Sequence, residues 1–160
     1  MAVTAASRAF AAIPRGDLSR YVFVLGRDSS GVTVFDSASN AVAANLDIGL
    51  VPKQVEISRE LSRLVATDGR SQRIVVFDVP TETATTIDLP ILAERVTLGT
   101  SGWLLAVIDT SGGRVAVVDL IKHRVVTVID GLAAVRGDRR VAADFHHRYR
   151  DRSEDWRNQH

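Results

Sequence analysis

Four sets of residues in this chain have types that suggest chemistry. Arg15-Gly16-Asp17 and Arg136-Gly137-Asp138 each have the form of an adhesion triplet. "VIDTSGG" at 107–113 approaches the Asp-Thr-Gly pattern of a carboxylate dyad, in which two acids share one proton. His146 and His147, with His123 and His160, could offer imidazole nitrogens to zinc or copper. Asp36, Asp78 and Asp119 recur at matching places along the chain, as repeated carboxylates. Each set also has a simpler reading. Ser111 interrupts the dyad pattern, and Asp28 and Asp68 fill the same place elsewhere, so a hairpin loop explains the run. Adjacent histidines on a helix point in different directions, and no cysteine or third ligand has diagnostic spacing. No metal site is therefore expected, with His146 and His147 the weak candidates. Glycine-rich phosphate loops, zinc-protease helices and nucleophile elbows are all missing. The sequence therefore names no catalytic residue and no cofactor, and it reads more readily as a binding protein than as an enzyme.

The elements that carry these residues explain the recurrence. "GVTVFDSASN" at 31–40 returns as "RIVVFDVPTE" at 73–82 and as "RVAVVDLIKH" at 114–123. Around this phrase four short segments recur in fixed order. The first reads "AFAAIP" (9–14), "KQVEIS" (53–58) and "AERVTL" (93–98). The second reads "YVFVLG" (21–26), "LVATDG" (64–69) and "LLAVID" (104–109). The third is the quoted phrase, and the fourth reads "VAANLDI" (42–48), "TATTIDL" (83–89) and "VVTVID" (125–130). Their lengths and their β-branched content predict strands. "DSSG" (28–31), "DGRSQ" (68–72) and "DTSGG" (109–113) supply hairpin turns between the second and third. In this frame the two Arg-Gly-Asp triplets occupy one turn slot, and the three repeated aspartates close the third strand with an Asx-type turn.

The second and third strands are apolar on both faces, which predicts cover on both faces. The fourth alternates, with Val42, Ala44, Leu46 and Ile48 set against Asn45 and Asp47, which predicts a half-exposed outer strand. A four-stranded antiparallel unit of about 40–45 residues with this burial is a propeller blade. Helices of a doubly wound fold have no room between the strands, and a β-sandwich needs no internal repeat. The expected fold is all-β: three blades, at about 8–49, 50–90 and 91–131, and the start of a fourth at 132–145. A charged tail follows at 146–160, and Phe145, Tyr149 and Trp156 in and beside it predict a short C-terminal helix.

Composition narrows the partners. The net charge of +1 gives no field for nucleic acid or an anionic membrane. An apolar fraction of 46% with 24% charged residues is that of a globular domain. No apolar run approaches a membrane span, and Arg8 interrupts the small apolar start, so no signal peptide is expected. The lack of cysteine excludes disulfides, thiol nucleophiles and iron–sulfur ligation.

The segment "VAANLDIGLVPKQVEISRELSRLVAT" (42–67) resembles the YVTN-type β-propeller repeats, through Ile48-Gly49, Pro52, Val55, Ser58, Leu64 and Val65. The match extends over 21–131, although "RELS" (59–62) stands where the family has Pro-Asp-Gly. The resemblance implies a propeller. Its relatives include exported proteins of unknown role, the heavy subunit of amine dehydrogenases, the haem domain of nitrite reductases and periplasmic metal-handling proteins. It therefore implies a periplasmic or secreted location and leaves a redox or metal-handling alternative beside a binding scaffold.

Propellers close with roughly four to eight blades, so three and a fraction leave apolar faces that a protein partner or a second copy would cover; the chain reads as a fragment of a six- to eight-bladed propeller, as one of two copies that close a ring, or as an arc capped by its own termini. A propeller gathers its inter-strand loops at one mouth of the central channel. Arg27, Asp28, Lys53, Asp68, Arg70 and Asp109 are the ligand-binding candidates there.

Overall fold

A computed structural model describes Ile13 and residues 18–131. A 3-10 turn at Leu18–Arg20 leads into β1 (Tyr21–Leu25), β2 (Gly31–Asp36) and β3 (Ala41–Asp47). The next four strands are β4 (Gln54–Ser58), β5 (Arg63–Thr67), β6 (Arg73–Asp78) and β7 (Thr83–Asp88). The last four are β8 (Arg95–Leu98), β9 (Leu104–Asp109), β10 (Arg114–Asp119) and β11 (Arg124–Ile129). Each group is an antiparallel meander, giving sheets of three, four and four strands among the described residues. The first sheet's expected inner strand at 9–14 lies outside the described residues except for Ile13, which is buried in the first core. Residues 132–160 also lie outside them, and with them the fourth blade, the tail helix, His146 and His147. Both Arg-Gly-Asp triplets do too.

Local chemistry sets the hairpins. Asp36, Asp78 and Asp119 end the third strand of each unit, and each turns its carboxylate back onto the loop. Their Oδ1 atoms accept the N–H groups of Ala38 at 2.9 Å, Thr81 at 3.1 Å and Ile121 at 2.9 Å. Four residues after each aspartate the chain takes a left-handed conformation, at Asn40 (φ 52), Glu82 (φ 54) and His123 (φ 50). Repetition of the carboxylate and of the backbone twist makes these residues turn-formers.

The sheets stack face to face in series. Val32, Val34, Ala44 and Leu46 of the first sheet pack on Leu64, Ala66, Val75 and Phe77 of the second. Val65, Ile74, Val76 and Ile87 of the second pack in the same sense on Val96, Leu105, Val107, Ala116 and Val118 of the third. The innermost strands come together at one edge, where the Gln54 amide on β4 both donates to Val96 O at 2.6 Å and accepts from Val96 N at 3.1 Å on β8. Repeated meanders stacked with their first strands innermost make this a partial β-propeller.

Two details depart from the strand-by-strand pattern, the first of them in the way an incomplete ring of blades expects. The second and third strands are covered on both faces in the second and third sheets only. In the first sheet Val22 is 54%, Val24 46%, Phe35 38% and Val42 41% exposed. Strand pairing places Val22 in the slot of Leu64 and Leu105, and Phe35 in that of Phe77 and Val118. Those partners are buried by the preceding sheet, and no sheet among the described residues stands before the first. The second departure is Val42, expected inside with Ala44 and Leu46. The register of β2 and β3 shifts between Val34 and Phe35, so Ala43 is extra and Val42 falls opposite Phe35 on the open face.

Candidate functional site

The loops between the second and third strands, and those that lead into each first strand, are cross-tied at one end of the stack. Lys53 N donates to Thr67 O at 2.8 Å, fixing the approach to β4 against the end of β5. The buried Thr67 hydroxyl donates to Ala93 O, and Ala93 N donates to Ser71 O at 2.9 Å, so the approach to β8 is held on the β5–β6 loop. Two successive entry loops therefore lean on one hairpin, and the side chains they carry converge there.

Gly69 makes the convergence close. It sits at φ 69, and a Cβ there would stand 2.4 Å from Lys53 Cδ and 3.4 Å from Glu94 O. The Lys53 stem thus crosses the bare backbone of the hairpin, using space that any side chain would fill. Beyond it opens a cleft of about 370 Å³ lined by Lys53, Gln54, Glu94 and Arg95.

The acids at this end are engaged by the loops themselves. Asp68 Oδ1 accepts from Arg70 N, Ser71 N and Ser71 Oγ, each at 2.9 Å. Asp109 accepts from Gly112 N at 2.7 Å and from Arg114 Nη2 at 2.7 Å. Burial pushes both carboxyls upward, but these hydrogen bonds and the nearby Arg73 and Arg114 outweigh it and leave both below the ordinary range. Glu94 reaches over to the β9–β10 loop, accepting from Thr110 N at 2.9 Å and from the hydroxyls of Thr110 and Ser111. The Ser111 and Thr110 hydroxyls hold its carboxyl below the usual value as well.

One acid behaves oppositely. Glu56 follows Gln54 on the same face of β4 and accepts from the Gln54 amide at 3.1 Å. Burial pushes its carboxyl up, against the hydrogen bonds from Gln54 and the Leu98 backbone.

Of the residues singled out by sequence, Lys53 lines the cleft and Asp68 supports the hairpin beneath it. Asp109 is buried in its own loop, and Arg70 is exposed on the hairpin. Arg27 and Asp28 are exposed on the β1–β2 loop and do not line the cleft. Gln54, Glu94 and Arg95 were missed. Their signal was positional, because Lys53-Gln54 and Glu94-Arg95 stand in the same slots of successive units, immediately before and at the start of the inner strand. Among the described residues no three His, Asp or Glu side chains gather as a metal site, and no helix is long and apolar enough to cross a membrane.

No protein-family model matches the chain, and no curated protein matches it. Among solved structures, hydrazine synthase of Kuenenia stuttgartiensis is similar, with a TM-score of 0.61 over 73% of this chain at 15% identity. The chain spans 34% of the length of that protein's chain, and at this identity the likeness is one of fold.

Proposed function

We propose that the chain is a non-enzymatic β-propeller arc of YVTN type, divided into blades at about 8–49, 50–90, 91–131 and a partial 132–145, and that it binds through the loops at the channel mouth. The supporting observation is the state of the acids there. A general acid or base needs an available lone pair and a pKa near the working pH. Asp68 Oδ1 and both oxygens of Glu94 and Asp109 instead accept from loop and strand donors, and the three carboxyls lie below the ordinary range, while Glu56, which burial pushes up, is tied to the Gln54 amide; this suits a rigid rim better than a proton-transfer apparatus.

The open face of the first sheet is the second interaction surface, and its occupant is a further blade of a larger ring. Its slots match those that a preceding blade covers in the other two sheets. The outward face of the third sheet, with Ala106, Ile108, Val115 and Val117, is buried, so head-to-tail closure with a second copy has no matching free face, and a second copy could cover the first sheet only by a two-fold pairing of first sheet on first sheet. Gel filtration with light scattering tests this. A monomer is expected, and a dimer that Val22→Ser with Phe35→Ser dissolves would assign the face to self-association.

The YVTN resemblance leaves one other reading, a propeller subunit or domain of an exported redox enzyme or metal-handling protein. Absorbance spectra and metal analysis after incubation with haem and divalent metals separate the two. A stoichiometric bound chromophore or metal would replace the scaffold reading; none is expected.

A further inference from the structure

Within the mouth proposed above as the binding surface, we infer that the cleft between Lys53 and Arg95 is a site for a small anion bearing a carboxylate or phosphate group. Apart from Asp28 on the β1–β2 loop, which does not line the cleft, the acids at or beside this end are engaged away from the cleft's cations, Glu56 by the Gln54 amide. Asp68 is held by its own hairpin, Asp109 by Arg114 and Gly112, and Glu94 by Thr110 and Ser111 of the next loop. Lys53 and Arg95 are exposed, and among the described residues neither has a carboxylate within salt-bridge distance. Two cations therefore line the cleft with one carboxylate, and that carboxylate is bound by three donors from its far side.

The shape is fixed as well as charged. Gln54 forms the floor and cannot turn toward a ligand without releasing Val96 N, Val96 O and Glu56. The Lys53 stem crosses Gly69, where the absence of a side chain leaves it room. The volume of about 370 Å³ lies at the small end of the range for small-molecule pockets. A cleft lined by an ammonium-bearing and a guanidinium-bearing residue suits an anion that can accept from both, a guanidinium being able to engage two oxygens at once.

The test uses the full chain, isotopically labelled, titrated at low salt with succinate and separately with inorganic phosphate, while backbone amide shifts are followed. The expected result is saturable shifts at Lys53, Gln54, Glu94 and Arg95, weakening as sodium chloride is raised. Affinity should fall at least about tenfold in the Lys53→Gln, Arg95→Gln double variant and stay unchanged in Arg124→Gln, on the exposed outer strand β11. The anion that binds more tightly identifies the group recognised. No saturation with either anion, or equal affinity in the double variant with its thermal melt preserved, overturns the inference. A spermine titration separates the two levels of the argument. Shifts at the mouth with spermine and not with the anions would retain the mouth and reject the anion, whereas anion shifts confined to other loops would reject both.

Discussion

Phe35 and Phe77 offer a controlled comparison, because they are the same residue type in the same slot of successive blades with different cover. Phe77 is 3% exposed in the core between the first two sheets, and Phe35 is 38% exposed on the open face. A phenylalanine hides on the order of 200 Å² when buried, so the difference of about a third amounts to roughly 70 Å². At about 25 cal/mol per Å² this is about 2 kcal/mol. Phe77→Ala also leaves an enclosed cavity, which puts its cost at about 3–5 kcal/mol, while the hole left by Phe35→Ala opens to water. Urea unfolding at low protein concentration, followed by circular dichroism, should place Phe35→Ala about 2 kcal/mol closer to wild type than Phe77→Ala, with unchanged denaturant slopes. Equal losses would mean that something already covers the first sheet, and the open arc would be wrong. If Phe35→Ala then became costly only as protein concentration rose, self-association would be the cover.

Three further outcomes can be checked in the same unfolding assay. Burial raises the Glu56 pKa above 4.5, so its contribution is intact below that value and is lost as pH rises through the folded pKa; Glu56→Gln should flatten stability across that window. Arg20, which bonds the Asp36 carboxylate, lowers its pKa from 3.8 to about 2, so its stabilisation is present above 3.8 and disappears as pH falls through 2; Asp36→Asn should erase that acid limb. Ser58 is fully buried and donates to Gly102 O at 2.5 Å, joining the second blade's turn to the third's, so Ser58→Ala should cost about 1–3 kcal/mol by leaving that carbonyl unpaired.

Much of the fold was legible because a blade repeats its own grammar. Strand starts at Tyr21, Gly31, Arg73, Leu104 and Arg114 fall within a residue or two of the segment boundaries, since alternation and the Asp-Gly-Ser turns mark them locally. Exposure of the first sheet was legible in the blade count, since three and a fraction blades leave an open face, but not in the residues of the sheet itself. Val22, Val24 and Phe35 have the same residue types as their covered counterparts, and cover depends on a neighbouring sheet that no local pattern records. The Val42 reversal escaped for a related reason. A bulge inverts alternation downstream of one extra residue, and nothing about Ala43 announces that it is the extra one. At the mouth, Asp68 and Asp109 stood out by being acidic and beside glycine. Those same properties make them loop anchors, so their prominence in sequence pointed to architecture.

That reversal gives a rule for locating function in a repeat protein. A residue present in every unit is constrained by what every unit must do, and here Asp36, Asp78 and Asp119 all close the same turn. Function needs a feature that one place has and the others lack. The slots before and at the start of the inner strand hold Lys53 and Gln54 in one blade, Glu94 and Arg95 in the next. The reversal of charge from Lys53 to Glu94 is costly to explain by folding alone, because both blades solve the same packing problem with the same strands. It becomes intelligible once the two loops share a cleft. Glu94 ties the third blade's hairpin through Thr110 and Ser111, and Lys53 lines the same cleft with no carboxylate of the described residues in salt-bridge distance. A blade with lysine in both slots would set two ammonium groups around one small cavity and leave the Thr110 and Ser111 donors without their acceptor. The break in the repeat therefore fixes the shape of the cleft and its sign together.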